Sequence, residues 1–215
     1  MSGFDHIDTW IFDLDNTLYP PSCKLFDQIA ERMNDYIAAE LGITHKEAAK
    51  LRHGYFKQHG TTLRGLMLEH GTEPTGFLNY VHEIDYSAVE QHVSLGDALA
   101  RLPGRKLIFT AGTRGHARNV LARLGCAHVF EEIFDITDCH FIPKPAAQPY
   151  EMFLKRHAVA AERAAFFEDL AENLLVPRAL GMVTVLVGEH DETMLPAHVD
   201  YVTADLAGFL YRIGN

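Results

Sequence analysis

The sequence predicts an α/β protein, a parallel β-sheet covered on both faces by helices, with a helical domain inserted between the first and second strands. Three observations carry this expectation. Short, almost fully apolar runs recur along the chain, as at Trp10-Ile11-Phe12 and Val183-Thr184-Val185-Leu186-Val187, and strands buried on both faces read this way. From Lys106 onward such runs alternate with helical patterns, the order that builds a parallel sheet. Between residues 25 and 82, by contrast, apolar residues recur every three or four positions and no strand pattern appears.

Residues 9–13 form the first strand, β-branched and aromatic, running into an acidic loop. Leu25, Ile29, Met33, Tyr36, Ile37 and Leu41 then mark one face of a helix that Gly42 is placed to stop. Thr44 and Glu47 have the spacing of a capping box for a second helix, with Ala48, Leu51 and Tyr55 on one side and an end near Gly60. Two shorter helices are expected near 63–70 and 75–82. The strand at 106–110 is followed by a helix near 115–124, a strand at 132–135, a helix after Pro149, a strand at 164–168 and a helix after Leu170. Strands at 183–187 and 201–203 precede a closing helix. The expected division is a core of residues 1–19 and 93–215 and a helical insertion of residues 20–92.

With 47% hydrophobic and 22% charged residues, the chain has the balance of a soluble globular protein able to bury a core. No apolar run approaches the ~20 residues that span a bilayer, so no membrane partner is expected. The first ten residues lack the pattern of a secretory signal, which points to the cytoplasm. A formal net charge of −10 with no basic block disfavours a nucleic-acid polymer. Cys23, Cys126 and Cys139 are three, without the Cys-x-x-Cys spacing of a zinc site. They read as small buried hydrophobes in a reducing compartment.

Ligands of an open α/β sheet bind at the carboxyl ends of its strands. Asp13-Leu14-Asp15-Asn16-Thr17, Thr110 and Glu168-Asp169 fall at such ends, and Lys144 lies in the loop after the strand at 132–135. Carboxylates, a hydroxyl and an ammonium on one edge suit phosphoryl transfer. Asp13 would attack phosphorus in line. Asp15 would protonate the leaving oxygen and later deprotonate water. Thr110 and Lys144 would hold phosphoryl oxygens, and a hard cation such as Mg2+ would cancel the repulsion between carboxylate and phosphate. Each residue also has a plainer reading. Asp13 and Asp15 are also capping residues by type, Thr110 a strand-end hydroxyl serving its own backbone, Asp169 a helix N-cap and Asn173 a helix-surface amide. Lys144, set between Pro143 and Pro145, sits in a restricted backbone that a solvated surface lysine does not need.

Asp13-Leu-Asp-Asn-Thr17-Leu, Thr110, Lys144-Pro145 and Phe167-Glu-Asp169 through Asn173 resemble the four motifs of the haloacid dehalogenase (HAD) superfamily, in its Mg2+-dependent phosphatase branch. The resemblance covers nearly the whole chain. It implies a three-layer α/β/α, Rossmann-like core, a helical C1 cap between motifs one and two, and Mg2+ held by Asp13, the backbone carbonyl of Asp15 and Asp169, with Asn173 behind them. Within the superfamily, Leu18-Tyr19-Pro20, Gly60-Thr-Thr-Leu-Arg64-Gly-Leu-Met67 and Tyr80-Val-His82-Glu-Ile-Asp85 resemble the pyrimidine 5'-nucleotidase group. The implied substrate is a pyrimidine nucleoside 5'-monophosphate. The cap candidates for touching it are Arg64, whose plainer reading is a surface salt bridge, and His82 with Asp85 as partners for a sugar hydroxyl, although a lone histidine among 13 is more often unremarkable. Tyr19 and Phe56 are expected in the cap's core rather than stacked on a base.

Two departures stand out. Thr110-Ala111-Gly112 replaces the group's Thr-Asn-Gly, and Glu172 adds an acidic candidate beside the metal. The competing readings are a phosphatase for another small metabolite such as a sugar phosphate, a degenerate phosphate-binding regulator suggested by Ala111, and a hydrolytic dehalogenase, which has no use for Asp15 or Asp169. A small phosphate ester is the expected partner, and the protein is expected to be a monomer or homodimer.

Overall fold

A computed structural model describes residues 3–214. Its centre is a six-stranded, wholly parallel sheet of β1 (Thr9–Phe12), β2 (Arg105–Phe109), β3 (Glu132–Phe134), β4 (Ala164–Glu168), β5 (Val183–Val187) and β6 (Tyr201–Thr203). The spatial order is β3-β2-β1-β4-β5-β6. The chain therefore builds outward from β1 in one direction, then returns to its other side with β4. The crevice at β1 and β4 is the switch point where such sheets bind ligands.

Side chains alternate across the sheet. Trp10, Phe12, Ala165 and Phe167 pack into one apolar layer, and Ile11, Ala164 and Phe166 into the other. Both layers are sealed by helices, which is why the strands carry so few polar residues. Ring stacking of Phe12 on Phe167, with centroids 4.6 Å apart, fixes the pairing of β1 with β4 immediately before the acidic residues begin.

The insertion consists of α1 (Leu25–Leu41), α2 (His45–His59), α3 (Thr62–His70) and α4 (Pro74–Val81). Gly42 ends α1 at φ 63°, and the capping box of α2 is complete, with Thr44 and Glu47 bonding each other's amides. Thr61 caps α3, and the Glu73 carboxylate accepts the amides of Thr75 and Gly76 at the start of α4. Ile37, Ala48, Leu66, Phe77 and Val81 are buried at its centre. The turn between α2 and α3 rests on the core at Gly60, where an added side chain would meet the Pro143 ring at 3.0 Å and the Lys144 carbonyl at 3.4 Å. Because φ is 82° there, both backbone and space favour glycine.

The remaining helices are α5 (Val93–Arg101), α6 (Arg114–Leu124), α7 (Ala147–His157), α8 (Leu175–Ala179) and α9 (Leu206–Ile213). Helix α5 adds to the expected elements, its buried Leu95, Ala98 and Leu99 at helical spacing. Local expectations are corrected elsewhere. Strand β3 stops before Asp135, whose carboxylate takes the amides of Arg114, Thr137 and Asp138 and so leaves the ladder. Helix α7 begins before Pro149, which is tolerated in a first turn where amides lack intrahelical partners. Phe56 is 45% exposed rather than cap core, and Tyr19 is buried in the layer of Trp10 and Phe12 rather than in the cap's core. No helix of the described residues is long and apolar enough to cross a membrane.

Candidate active site

Phe12 pairs with Phe167, and the Asp13 amide continues the ladder by donating to the Phe167 carbonyl at 2.9 Å. Asp13 and Glu168 thus leave adjacent strands side by side, both buried. Lys144, itself buried, reaches in from the loop after β3. Its Nζ donates to Asp13 Oδ1 at 2.8 Å, Glu168 Oε2 at 2.5 Å and the Phe109 carbonyl at 3.2 Å. The Thr17 hydroxyl donates to Asp13 Oδ2 at 3.2 Å.

One ammonium faces more than one carboxylate. Burial pushes Asp13 up to about 7, helped by the charge on Glu168 and opposed by Lys144. Burial likewise raises Glu168 to about 7, and burial with the Asp13 charge raises Asp169 to about 6. Burial alone would lower the Lys144 ammonium, but the two carboxylates on it more than reverse this and hold it above its usual value. One oxygen from each of Asp13, Glu168 and Asp169 lies within 4.8 Å of the others. Three hard oxygen donors whose charge one ammonium only partly offsets fit a small divalent cation such as Mg2+. A second group, Glu31, Asp35 and His45 on α1 and α2, is exposed.

The site differs from the expected one in its acidic members. Glu168, in the sequence only a strand-end neighbour of Asp169, both pairs with Lys144 and joins the acidic group. Glu172 is exposed and outside it. The Asp15 carboxylate is also outside it, because its Oδ1 accepts the Tyr19 hydroxyl at 2.5 Å and faces His116 Nε2 at 2.6 Å. Burial would raise Asp15, but His116 and Tyr19 outweigh it and hold the carboxyl below its usual value. Asp169 is not a helix cap, since the short 3-10 turn Ala171–Leu174 starts after Leu170 without a side-chain cap. Asn173 is buried rather than on a helix surface, and its carbonyl accepts the Tyr150 hydroxyl at 2.7 Å.

Thr110 directly follows β2 and is buried. Its oxygen accepts the Gly112 amide at 2.9 Å, which leaves the hydroxyl proton available to a ligand. Ala111 is exposed at the turn that follows. Arg64 sits in the first turn of α3, half-buried, with no hydrogen bond or ion pair to its guanidinium among the described residues. His82 is turned inward. Its Nδ1 lies 3.0 Å from the Leu78 carbonyl, its ring stacks on His116 at 4.7 Å, and burial with the neighbouring His116 lowers it to about 4. Asp85 is exposed and accepts the Ser87 amide and hydroxyl.

A parallel sheet of this order, with a buried lysine between two carboxylates at the switch point, defines a Rossmann-like α/β protein with a helical insertion. The chain belongs to the haloacid dehalogenase-like hydrolases, whose family model matches residues 7–181. Glyceraldehyde 3-phosphate phosphatase of Methanocaldococcus jannaschii is 27% identical over 95% of this chain and 96% of its own. Phosphate metabolism protein 8 of Saccharomyces cerevisiae is 27% identical over 82% of this chain, which spans 60% of that protein's length. Among solved structures, a HAD phosphatase from Thermococcus onnurineus superposes with a TM-score of 0.63 at 18% identity, covering 96% of this chain and 97% of that one. L-2-haloacid dehalogenase from Xanthobacter autotrophicus superposes with a TM-score of 0.57 at 12% identity, over 95% and 97% of the two chains. Both likenesses concern the fold.

Proposed function

We propose that the protein is a Mg2+-dependent phosphomonoester hydrolase working through an aspartyl phosphate. The observation that carries this reading is the placement of Asp13 at the switch point, gripped by Lys144 and Thr17 and sharing an acidic group with Glu168 and Asp169. An Asp13 oxygen attacks phosphorus while the ester P–O bond breaks on the opposite side and the leaving oxygen takes a proton from Asp15. Water then attacks the phosphoaspartate, gives its proton to Asp15, and the bond from phosphorus to Asp13 breaks, freeing inorganic phosphate. Asp15 needs a proton at the start. An arriving phosphate dianion supplies the like charge that raises its proton affinity.

Lys144 and the Thr110 hydroxyl hold phosphoryl oxygens during both steps. Asp13, Asp169 and the main-chain carbonyl of Asp15 would hold Mg2+, with Glu168 beside them and Asn173 behind. When bound, the ion neutralises charge between nucleophile and phosphate. Residues 20–92 act as a cap that closes the site from water and touches the part of the substrate beyond phosphorus, where the free guanidinium of Arg64 is the best-placed donor.

The cap motifs favour a pyrimidine nucleoside 5'-monophosphate as substrate. A second reading, a small sugar phosphate, is favoured by the end-to-end likeness to the M. jannaschii phosphatase. Phosphate release from a panel of nucleoside monophosphates and sugar phosphates, with Mg2+ or with chelator, tests all of this. A preference of at least tenfold in kcat/KM for one class assigns the substrate, and hydrolysis of no ester would make the chain a phosphate binder.

A further inference from the structure

The Asp15 carboxylate is held in a way that the proposed chemistry does not by itself require. Two donors converge on a single oxygen, Oδ1: the Tyr19 hydroxyl at 2.5 Å and His116 Nε2 at 2.6 Å. His116 is 1% exposed and lies in the first turn of α6, where the Thr113 hydroxyl accepts its amide at 3.2 Å. Its ring is fixed from behind by the Tyr86 hydroxyl, which donates to the His82 carbonyl at 3.0 Å and stands 3.1 Å from His116 Nδ1. The stacked His82 ring covers one face. The other carboxylate oxygen, Oδ2, lies toward Gly112, where an added side chain would meet Oδ2 at 3.5 Å, the Thr110 hydroxyl at 3.4 Å and the His116 ring at 3.0 Å. So Oδ1 is tied to the protein, and Oδ2 faces the strand end where Thr110 presents its hydroxyl.

We infer that His116 and Tyr19 are positioning residues for the proton transfers of Asp15: they hold Oδ1 so that Oδ2 is the oxygen that gives and takes the proton. This rests on the acid–base role proposed above for Asp15. A carboxylate pinned at one oxygen by two donors loses its rotation, and a reacting group held in register is worth far more than one that must find its orientation. The holders are also spread across the fold. Tyr19 belongs to the segment leading from β1 into the insertion, Tyr86 to the segment returning from it, and His116 to the core. The carboxylate is therefore tied to both connections of the helical insertion as well as to α6.

The test is the dependence of the phosphorylation step on the leaving group, measured as the pre-steady-state burst of phenol with a series of aryl phosphates from p-nitrophenyl to phenyl phosphate. Nitrophenolate leaves without a proton and phenolate needs one, so a misplaced acid slows only the second. In His116→Ala the burst rate with phenyl phosphate should fall about 10- to 100-fold, part of the ~100- to 10,000-fold that acid catalysis supplies. With p-nitrophenyl phosphate it should fall less than about threefold. His116→Gln, which keeps an N–H where Nε2 stands, should recover most of the loss, as a purely structural role would not. Tyr19→Phe, which keeps the ring and its packing, should show the same selectivity at smaller size and serves if His116→Ala does not fold. Equal losses on both esters, or no recovery with His116→Gln, would overturn the inference. Asp15→Asn runs in parallel: if it steepens the leaving-group dependence while the His116 and Tyr19 variants do not, only the positioning role fails. If Asp15→Asn matches the wild type, the role proposed for Asp15 falls too, and nothing is left to position.

Discussion

Replacing Lys144 with methionine removes one buried ammonium and little volume. The side chain is 4% exposed and stands between Asp13 at 2.8 Å and Glu168 at 2.5 Å, whose side chains are 9% and 1% exposed. Breaking a buried ion pair by deleting one partner costs ~3–5 kcal/mol, because the remaining charges lose their compensation without regaining water. For a chain of this length each kcal/mol moves Tm by ~2–4 °C, so the melting point in chelator should fall by about 6–20 °C. Activity should fall as well as stability, because the same ammonium holds the transferred phosphoryl group, and losing a charged hydrogen bond costs ~1.5–3 kcal/mol. At permissive temperature that is a loss of ~10- to 150-fold in kcat/KM. Calorimetry and a phosphate-release assay on Lys144→Met read the two effects separately. A variant that melts within ~2 °C of wild type and keeps more than a tenth of its turnover would refute the account of Lys144 as the charge that organises Asp13 and Glu168.

Other outcomes follow from the same geometry. Chelator should abolish turnover, Mg2+ should restore it, and Ca2+ should bind yet support little, since its looser coordination does not hold the carboxylates for attack; full activity in chelator would remove the metal from the mechanism. Arg64→Ala should raise KM for a nucleoside monophosphate far more than for an aryl phosphate too small to reach the cap, and equal effects would place Arg64 outside substrate recognition. His82 is held near 4 against an ordinary 6.5, so the unfolded chain binds the extra proton first as pH falls. Its stabilising contribution is complete above pH 6.5 and is lost between 6.5 and 4, at most ~3 kcal/mol. Thermal melts of wild type and His82→Phe should converge in pH dependence at neutral pH and separate below 6, and parallel curves throughout would contradict this.

How much of this was legible in the sequence depended on how local the cause was. The capping box at Thr44, the stop at Gly42 and the apolar runs of β4 and β5 are decided within a few residues and stand as read, and β1 ends one residue early, at Phe12. Asp135 left its strand because its carboxylate found three amides, one of them 21 positions away, which periodicity cannot register. Phe56 has the spacing of a core residue, but the face it occupies has no partner layer and is exposed. At the site, the strand-end rule marked Asp13, Thr110 and Asp169, because sheet topology alone brings those ends together, and the flanking prolines marked Lys144 in its loop. Glu168 was hidden in plain view as the last residue of an apolar strand, and its cationic partner, Lys144, lies 24 positions away. His116 had no local signal. A histidine in the first turn of a helix reads as surface, and its contact with Asp15 spans 101 positions.

The central claim is that Asp13 carries the phosphoryl group in mid-reaction. The most direct measurement is an acid quench of the enzyme turning over a good substrate, followed by digestion and mass spectrometry, with borohydride reduction of a parallel sample. The account predicts a phosphoryl adduct on the peptide containing Asp13, converted by borohydride to homoserine at that position and absent from Asp13→Asn. Turnover with no adduct at Asp13, or an adduct on another residue, would contradict it.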